Sequence, residues 1–376
     1  MDFETRCIHA GANNYDTVGS VTVPIFTSAT YTHPGLGQEM TYEYTRIKNP
    51  TRDNLEHTIA SLEGGKHGIA FSSGMAATAA VMELFSPNDH IIAPTDIYGG
   101  TYRLFTQICQ KNGIRFTFAD SAENVINAIT AETKAVFVET PSNPMMQVVD
   151  IAAIAKETKK RGLLLIVDNT FMTPYLQRPL ELGADIVLHS ATKYLGGHDD
   201  VLAGLLVLND DAISERLRFI LKTTGAALSP FDSYLVIRGI KTLPLRMDRM
   251  QETTQVIVQW LLKRPEIKQV HYIGLPSHAG YAITLRQSSG FGGMVSFTLH
   301  DEATTHKLLK GIKLIRFAPS LGGVGSLLTY PYIQTHGDIP EEERIARGIN
   351  ASLVRMSIGL ESAKDLIADL QQALEG

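Results

Sequence analysis

The sequence predicts an α/β fold with a mostly parallel central sheet and helices on both faces. Short runs rich in β-branched residues alternate with longer segments of helical spacing. Several runs are apolar at every position, as in residues 163–167 (LLLIV), which is typical of strands buried on both faces of a parallel sheet. Repetition of strand, helix and strand over this length indicates a sheet covered on two sides.

Strands and helices are predicted in alternation along the middle of the chain. The strand pattern covers residues 68–71, 90–94, 115–118, 135–139, 163–168, 186–190 and 203–208. Helical spacing covers residues 75–85, 101–111, 151–161 and 211–223. Asp150 is placed to cap the third of these helices, and Gly162 is placed to end it.

The length of 376 residues favours two domains, or two domains and an arm. Residues 1–50 hold Pro24, Pro34 and many Gly, Thr and Tyr residues without a long helical pattern, which predicts an extended arm. Residues 51–245 form the predicted large domain. After Pro244 the pattern changes to helix, short strands and a closing helix, so residues 246–376 are predicted to form a smaller α+β domain. Its elements are expected at about 247–262, near Val270, at 294–299 and at about 362–374.

Composition excludes several classes of protein. Only 19% of residues are charged and 44% are hydrophobic, which excludes a disordered chain. A formal charge of −5 offers no basic excess for nucleic acid. No apolar run approaches the roughly 18 residues of a membrane span, and the N-terminus lacks a signal-peptide pattern. With only Cys7 and Cys109, no disulfide framework is possible, and a cytoplasmic location is predicted.

Reactive side chains follow two neighbouring predicted strands. Asp168 ends one strand, and Lys193 follows the next, after Ser190 and Thr192. Each alone is commonly structural, as a turn cap or a surface cation. Together they suit an aldehyde cofactor, because a lysine in a cleft forms a Schiff base and an acid keeps a pyridine nitrogen protonated. Ligands of such sheets lie outside the carboxyl ends of the strands, where both residues are expected.

A third strand end carries Ser72, Ser73, Gly74 and Met75 at the start of a predicted helix. Backbone N–H groups and the positive end of the helix suit a phosphate group there. The plainer alternative is an ordinary N-cap. The twelve histidines show no H-x-x-x-H spacing with an acid between, so no metal site is predicted.

Nearly the whole chain resembles the pyridoxal-phosphate enzymes of cysteine and methionine metabolism, the cystathionine γ-synthase and γ-lyase family. The motifs that carry the resemblance are residues 44–52 (YTRIKNPTR), 72–77 (SSGMAA), 96–103 (DIYGGTYR), 139–144 (ETPSNP), 167–170 (VDNT), 189–198 (HSATKYLGGH), 320–323 (SLGG), 331–336 (PYIQTH) and 355–361 (RMSIGLE). They occur in the order that the family has.

The resemblance implies a fold-type I enzyme, similar to aspartate aminotransferase, with pyridoxal 5'-phosphate as its cofactor. It implies that Lys193 holds the cofactor and moves protons, that Asp168 pairs with the ring nitrogen, and that Tyr98 stacks on the ring. By the same likeness, the further cofactor-binding residues are Ser73, Gly74, Met75, Asn143, Ser190 and Thr192.

Tyr44 and Arg46 match a pair that reaches the phosphate of the neighbouring subunit in this family. The resemblance therefore implies a homodimer with shared sites, and the family usually forms a homotetramer. An arm that completes the site of another subunit would leave a monomer inactive.

The resemblance also assigns an amino-acid substrate. Arg355 is expected to bind its α-carboxylate through a bidentate contact, assisted by Asn143 and the backbone of Ser320. Arg103 matches a residue facing the distal end of the substrate in the synthases, although a surface arginine is the alternative. Gly325 stands where γ-synthases and γ-lyases usually have glutamate, which would leave the distal pocket more open.

Three interpretations of the reaction remain open. The first is γ-replacement or γ-elimination on cystathionine-type amino acids, as in cystathionine γ-synthase and γ-lyase. The second is β-elimination, as in cystathionine β-lyase or a general C–S lyase. The third is a protein that binds pyridoxal phosphate without catalysis. Lys193, Asp168, Tyr98 and Arg355 argue against the third.

Overall fold

A seven-stranded sheet lies at the centre of the molecule. The structure is a computed structural model that describes residues 1–11, 18–337 and 339–376. Residues 12–17 of the predicted arm lie outside this description. The strands are β1 (His67–Phe71), β2 (His90–Pro94), β3 (Arg115–Ala119), β4 (Thr133–Glu139), β5 (Leu164–Asp168), β6 (Ile186–Ser190) and β7 (Gly204–Leu208).

The order of these strands across the sheet is β1-β7-β6-β5-β4-β2-β3. Neighbouring strands from β6 to β3 are parallel, and β7 runs antiparallel to both β6 and β1. The α/β class and the mostly parallel sheet are therefore confirmed. Successive residues pack on opposite faces, since Ile166 belongs to one apolar cluster and Val167 to another. Burial on both faces explains the continuous apolar runs.

Among the described residues, two helices precede β1 in sequence, and seven more occur between β1 and the end of α9. They are α1 (Phe3–His9), α2 (Pro50–Glu63), α3 (Gly74–Met82), α4 (Gly99–Arg103), α5 (Ala122–Asn127), α6 (Ile151–Lys160), α7 (Thr173–Leu176), α8 (Asp211–Thr224) and α9 (Pro230–Ile240). A π-helical segment at Leu104–Cys109 continues α4. Asp150 caps α6 by accepting from the N–H of Ala153 at 2.9 Å, as predicted.

A second, five-stranded sheet follows in sequence. Its strands are β8 (Ile267–His271), β9 (Met294–Leu299), β10 (Arg316–Phe317), β11 (Leu327–Thr329) and β12 (Leu353–Ser357), in the order β10-β11-β12-β9-β8. Its helices are α10 (Leu243–Leu261), α11 (Tyr281–Gln287), α12 (Glu302–Gly311), α13 (Glu341–Ala346) and α14 (Ala363–Glu375). The predicted boundary after residue 245 falls inside α10. Pro244 does not end the chain's helical pattern there, since it occupies the first turn of α10, where proline is tolerated.

Both cysteines are buried in apolar clusters. Cys7 is 3% exposed and Cys109 is 4% exposed. Burial raises the pKa of the Cys7 thiol to about 12 and that of the Cys109 thiol to about 11. In the part of the chain that the structure describes, no helix has both the length and the apolar character needed to cross a bilayer.

Candidate active site

A cleft of about 480 Å³ lies at the carboxyl ends of the parallel strands. The carboxyl ends of β1, β2, β4, β5 and β6 and the segments after them form most of its lining. Residues 319–321 and 334–335, together with Arg355 of the five-stranded sheet, also line it. The cleft brings together twelve of the residues predicted from sequence: Ser73, Gly74, Met75, Tyr98, Arg103, Asn143, Asp168, Ser190, Thr192, Lys193, Ser320 and Arg355.

Lys193 lies just after β6 and is partly buried in this cleft. Its Nζ donates to Oγ of Ser320 at 2.7 Å. Burial and the positive charge of Arg355 lower the pKa of the Lys193 amine to about 8. A larger fraction of this amine is therefore neutral near pH 7 than for a surface lysine, which makes it a better nucleophile.

Asp168 and Glu139 end adjacent strands and are paired in register. Asp168 accepts from the N–H of Thr170 at 3.0 Å and from its hydroxyl. Burial raises the pKa of Asp168, although the hydrogen bonds to Thr170 oppose this. Burial, and then the charge of Asp168, raise the pKa of Glu139 well above its usual value. The strand ends thus concentrate acidic groups that a nearby cation would stabilise in their charged form.

The start of α3 forms an anion cradle, defined here by Ser73, Gly74, Ser190 and Thr192. Ser73 caps the helix by accepting from the N–H of Ala76 at 3.0 Å. A Cβ at Gly74 would lie 2.9 Å from the Cβ of Ser190, so only glycine allows this close approach of the two segments. Thr192 is held by the N–H of Ala203, which donates to its Oγ1 at 3.1 Å. Hydroxyls and helical N–H groups converge here, as phosphate binding requires.

Arg355 lies on β12, in the other sheet, and its side chain is buried. Nη1 donates to Oδ1 of Asn143 at 2.7 Å, and Nη2 donates to the carbonyl of Ser320 at 2.7 Å and to the hydroxyl of Thr329 at 3.1 Å. Its Nε has no hydrogen-bond partner among the described residues. Burial lowers the pKa of Arg355 to about 10, so the guanidinium stays charged at neutral pH. These contacts fix its plane at the edge of the cleft.

Tyr98 precedes α4 and exposes 40% of its surface. Its N–H donates to Oε2 of Glu139 at 2.9 Å. A Cβ at Gly100 would lie 2.5 Å from the ring of Tyr98, so the glycine makes room for the ring. Arg103, at the end of the same helix, also lines the cleft.

Three predicted residues do not line the cleft of their own chain. Arg46 lies over the ring of Tyr44 at 5.3 Å and donates to the carbonyl of Lys222. A Cβ at Gly325 would have Glu361 Oε1, at 3.9 Å, as its nearest neighbour, so this position has room for a side chain.

Glu139 and Thr170 are among the cleft residues that were not predicted from the sequence. Both stand inside quoted motifs, but their importance depends on strand register and turn geometry, for which the sequence gives no direct signal. Across residues 1–11, 18–337 and 339–376, no three His, Cys, Asp or Glu side chains are grouped to hold a metal ion.

Comparison with known proteins agrees with this geometry. Residues 4–375 match the family model described as Cys/Met metabolism PLP-dependent enzyme. This chain belongs to that family. The family depends on pyridoxal phosphate (PLP), so the cofactor inferred from sequence is confirmed at the level of the family.

Relatives of this family member align with nearly the whole chain. The cystathionine gamma-synthase/O-acetylhomoserine (thiol)-lyase of Bacillus subtilis is 50% identical over 99% of this chain and 96% of its own length. The cystathionine beta-lyase of Coxiella burnetii is 46% identical over 99% of this chain and 97% of its own length. A crystal structure of cystathionine gamma-lyase from Lactobacillus plantarum, complexed with L-serine, has a TM-score of 0.97 and 43% identity, covering 100% of this chain and 99% of that one. These neighbours confirm the predicted fold type.

The residues present fit the family's cofactor. Gly74 lets the start of α3 approach the hydroxyl-bearing Ser190, Lys193 offers an amine of lowered pKa, and Asp168 offers a carboxyl of raised pKa. A phosphate, an aldehyde and a ring nitrogen each find a group of suitable chemistry in one cleft.

Proposed function

We propose that Lys193, Asp168 and Tyr98 form the catalytic set of a PLP enzyme. When bound, pyridoxal phosphate supplies an aldehyde for an amine and an electron sink for a carbanion. Lys193 would hold the aldehyde group and would move the proton at Cα of the substrate. Asp168 would pair with the ring nitrogen, and Tyr98 would pack against the ring and exchange a proton with the leaving group. The cradle of Ser73, Gly74, Ser190 and Thr192, with Met75, binds the phosphate.

For the substrate, we propose a cystathionine-type amino acid whose C–S bond is formed or cleaved. The observation that carries this proposal is the presence of two arginines in one cleft, the buried Arg355 and the exposed Arg103. Arg355, oriented by Asn143 and the carbonyl of Ser320, suits the α-carboxylate. Arg103 suits a second carboxylate at the distal end, which cystathionine has.

Chemistry at Cγ is the main proposal, in which Lys193 moves protons at both Cα and Cβ. Product analysis tests it. With cystathionine alone, γ-elimination gives 2-oxobutyrate, cysteine and ammonia. With an O-acyl homoserine and cysteine, γ-replacement gives cystathionine and the free acid of the acyl group. Failure to detect either set of products would remove this proposal.

The second candidate is β-elimination, which gives pyruvate, homocysteine and ammonia from cystathionine. Gly325 favours it, because this position lacks the glutamate that the γ-specific branch usually carries. A Gly325→Glu variant should then raise the ratio of γ to β products. The backbone is suitable for this change, since Gly325 is not among the glycines of positive φ. An unchanged ratio would show that Gly325 does not determine selectivity.

We also propose that the enzyme works in the cytoplasm as a homodimer with shared sites, paired into a homotetramer. Tyr44 and Arg46 support the shared sites, since they form a cation–π pair outside their own cleft. In a dimer the same pair would supply a ring hydroxyl and a guanidinium to the phosphate of the neighbouring subunit.

A further inference from the structure

A buried carboxylate at the end of β4 is not used by the proposed chemistry. Glu139 is 7% exposed and lies beside Asp168, its register partner on β5. Both of its carboxylate oxygens accept backbone hydrogen bonds. Oε2 accepts from the N–H of Tyr98 at 2.9 Å, and Oε1 accepts from the N–H of Asn143 at 3.1 Å. One side chain therefore connects two segments that are far apart in sequence.

Each of these segments carries a group that faces the cleft. Tyr98 is the N-cap of α4 and has an exposed ring. The hydrogen bond from its N–H to Glu139 holds the backbone that carries this ring. Asn143 lies in the turn after β4, and its Oδ1 accepts from Nη1 of Arg355 at 2.7 Å. One oxygen of the Glu139 carboxylate thus contacts Tyr98, the proposed ring-stacking residue. The other contacts Asn143, which in turn contacts Arg355, the proposed carboxylate-binding residue.

We propose that Glu139 is a positioning residue, which sets Tyr98 and Asn143 at fixed distances from Asp168 through two backbone N–H groups. Through Tyr98 it fixes the tilt of the cofactor ring, and through Asn143 it fixes the plane of Arg355. The part of this inference that concerns Arg355 and the substrate rests on the proposed function. The part that concerns Tyr98 and the cofactor rests on the family's dependence on PLP.

Only a side chain with two acceptor oxygens of this length satisfies both N–H groups. Glutamine has one acceptor oxygen, and its NH₂ group would point a donor at the second N–H. Aspartate keeps both oxygens but is shorter by one methylene. Burial and the charge of Asp168 raise the pKa of Glu139, so the environment disfavours the charged form of this carboxyl. The two N–H donors offset part of that cost.

The test compares Glu139→Gln with a matched control in the other sheet. Asp369 is also a buried carboxyl that accepts backbone N–H groups, from Lys313 at 2.8 Å, Leu314 at 2.9 Å and Ile315 at 2.8 Å. It does not line the cleft. Asp369→Asn therefore reproduces the loss of a buried carboxylate without touching Tyr98 or Asn143.

Both variants are measured as holoenzymes for Tm, for visible circular dichroism of the bound cofactor, for PLP affinity after resolution and for kinetics on cystathionine. Both should lower Tm. Only Glu139→Gln should change the visible dichroism and weaken PLP binding, and its kcat/KM should fall roughly 100-fold, the scale expected for a misplacement of about 1 Å. Glu139→Asp should give intermediate values, and it replaces Glu139→Gln if the latter does not fold.

Unchanged dichroism and PLP affinity in both Glu139 variants would overturn the inference, as would an equal change in Asp369→Asn. If the unmodified protein binds PLP but does not act on cystathionine, the proposed function fails. The dichroism and affinity comparisons then still decide the role of Glu139.

Discussion

Nζ of Lys193 donates to Oγ of Ser320 at 2.7 Å, and Ser320 holds a backbone φ of +94°. A non-glycine residue in this region is strained, typically by about 1–3 kcal/mol. Because the carbonyl of Ser320 also accepts from Arg355, the strained residue connects Lys193 with Arg355.

The strain at Ser320 leads to the first prediction. Ser320→Ala and Ser320→Gly both remove the hydroxyl that Lys193 donates to, but only glycine adopts positive φ without a Cβ penalty. We expect Ser320→Gly to be more stable than Ser320→Ala by about 1 kcal/mol. Thermal unfolding of the two variants measures the difference. An alanine variant as stable as the glycine variant would show that no strain is stored at this residue.

The lowered pKa of Lys193 gives the second prediction. The neutral amine is the nucleophile, so reconstitution of the apoenzyme with PLP should accelerate as pH rises through about 8, the pKa of Lys193. Stopped-flow absorbance follows this rate. Arg355→Met should move the midpoint upward, because the positive charge of Arg355 is one cause of the lowered pKa. A wild-type midpoint near 10.5, the ordinary lysine value, would contradict the assignment.

Asp96 gives the third prediction. This buried carboxyl accepts from the hydroxyl of Ser142 and from the N–H of Met145, and burial raises its pKa to about 6. The folded state therefore binds a proton more tightly than the unfolded state, and stability from this group is lost as pH rises from about 4 to about 6. The full effect is of the order of 3 kcal/mol.

Asp96→Asn removes this titration. The free energy of unfolding of the wild type, minus that of the variant, should fall as pH rises from about 4 to 6 and be constant above pH 7. Urea unfolding of the two apoproteins across this range measures this difference, in which the titrating groups that do not interact with Asp96 cancel. A difference that stays constant from pH 4 to 7 would refute the raised pKa.

Arg103 carries the fourth prediction. Arg103→Met should raise KM for cystathionine about tenfold or more, because the charge that suits its distal carboxylate is lost. The effect on O-acetylhomoserine, which has a single carboxylate, should be several-fold smaller. Arg286→Met is the matched control, since Arg286 is an exposed arginine paired with Asp150 and does not line the cleft. Equal effects on both substrates would remove Arg103 from the distal site.

The shared-site proposal gives the fifth prediction. Lys193→Ala and Arg46→Ala should each be inactive alone. Co-expressed, they form hybrid dimers with one intact site, so activity should reach at most about a quarter of wild type. Lys193→Ala with Asp168→Asn is the control, because those two residues belong to one cleft and no hybrid site is intact. Equal activity in the two pairs would argue that Arg46 serves its own chain.

The sequence predicted the seven strands and most of the cleft because buried parallel strands are continuously apolar and their ends are easy to locate. It did not predict α2, because charged residues of this helix are buried and interrupt the apolar periodicity by which helices are recognised. These residues include Arg52, Asp53 and Glu56. The role of Glu139 depends on which strand lies beside β5, and Arg355 lies on a strand that the sequence did not show. Register and long-range pairing were therefore the information that was missing.

The burial of Cys7 and Cys109 has a consequence for an enzyme whose proposed substrates or products include thiols. Thiol–disulfide exchange proceeds through the thiolate and needs access to sulfur. With pKa values of about 12 and 11, neither side chain supplies a thiolate near neutral pH, and both residues are buried. The protein should therefore remain free of mixed disulfides while cysteine, homocysteine and their oxidised forms accumulate around it.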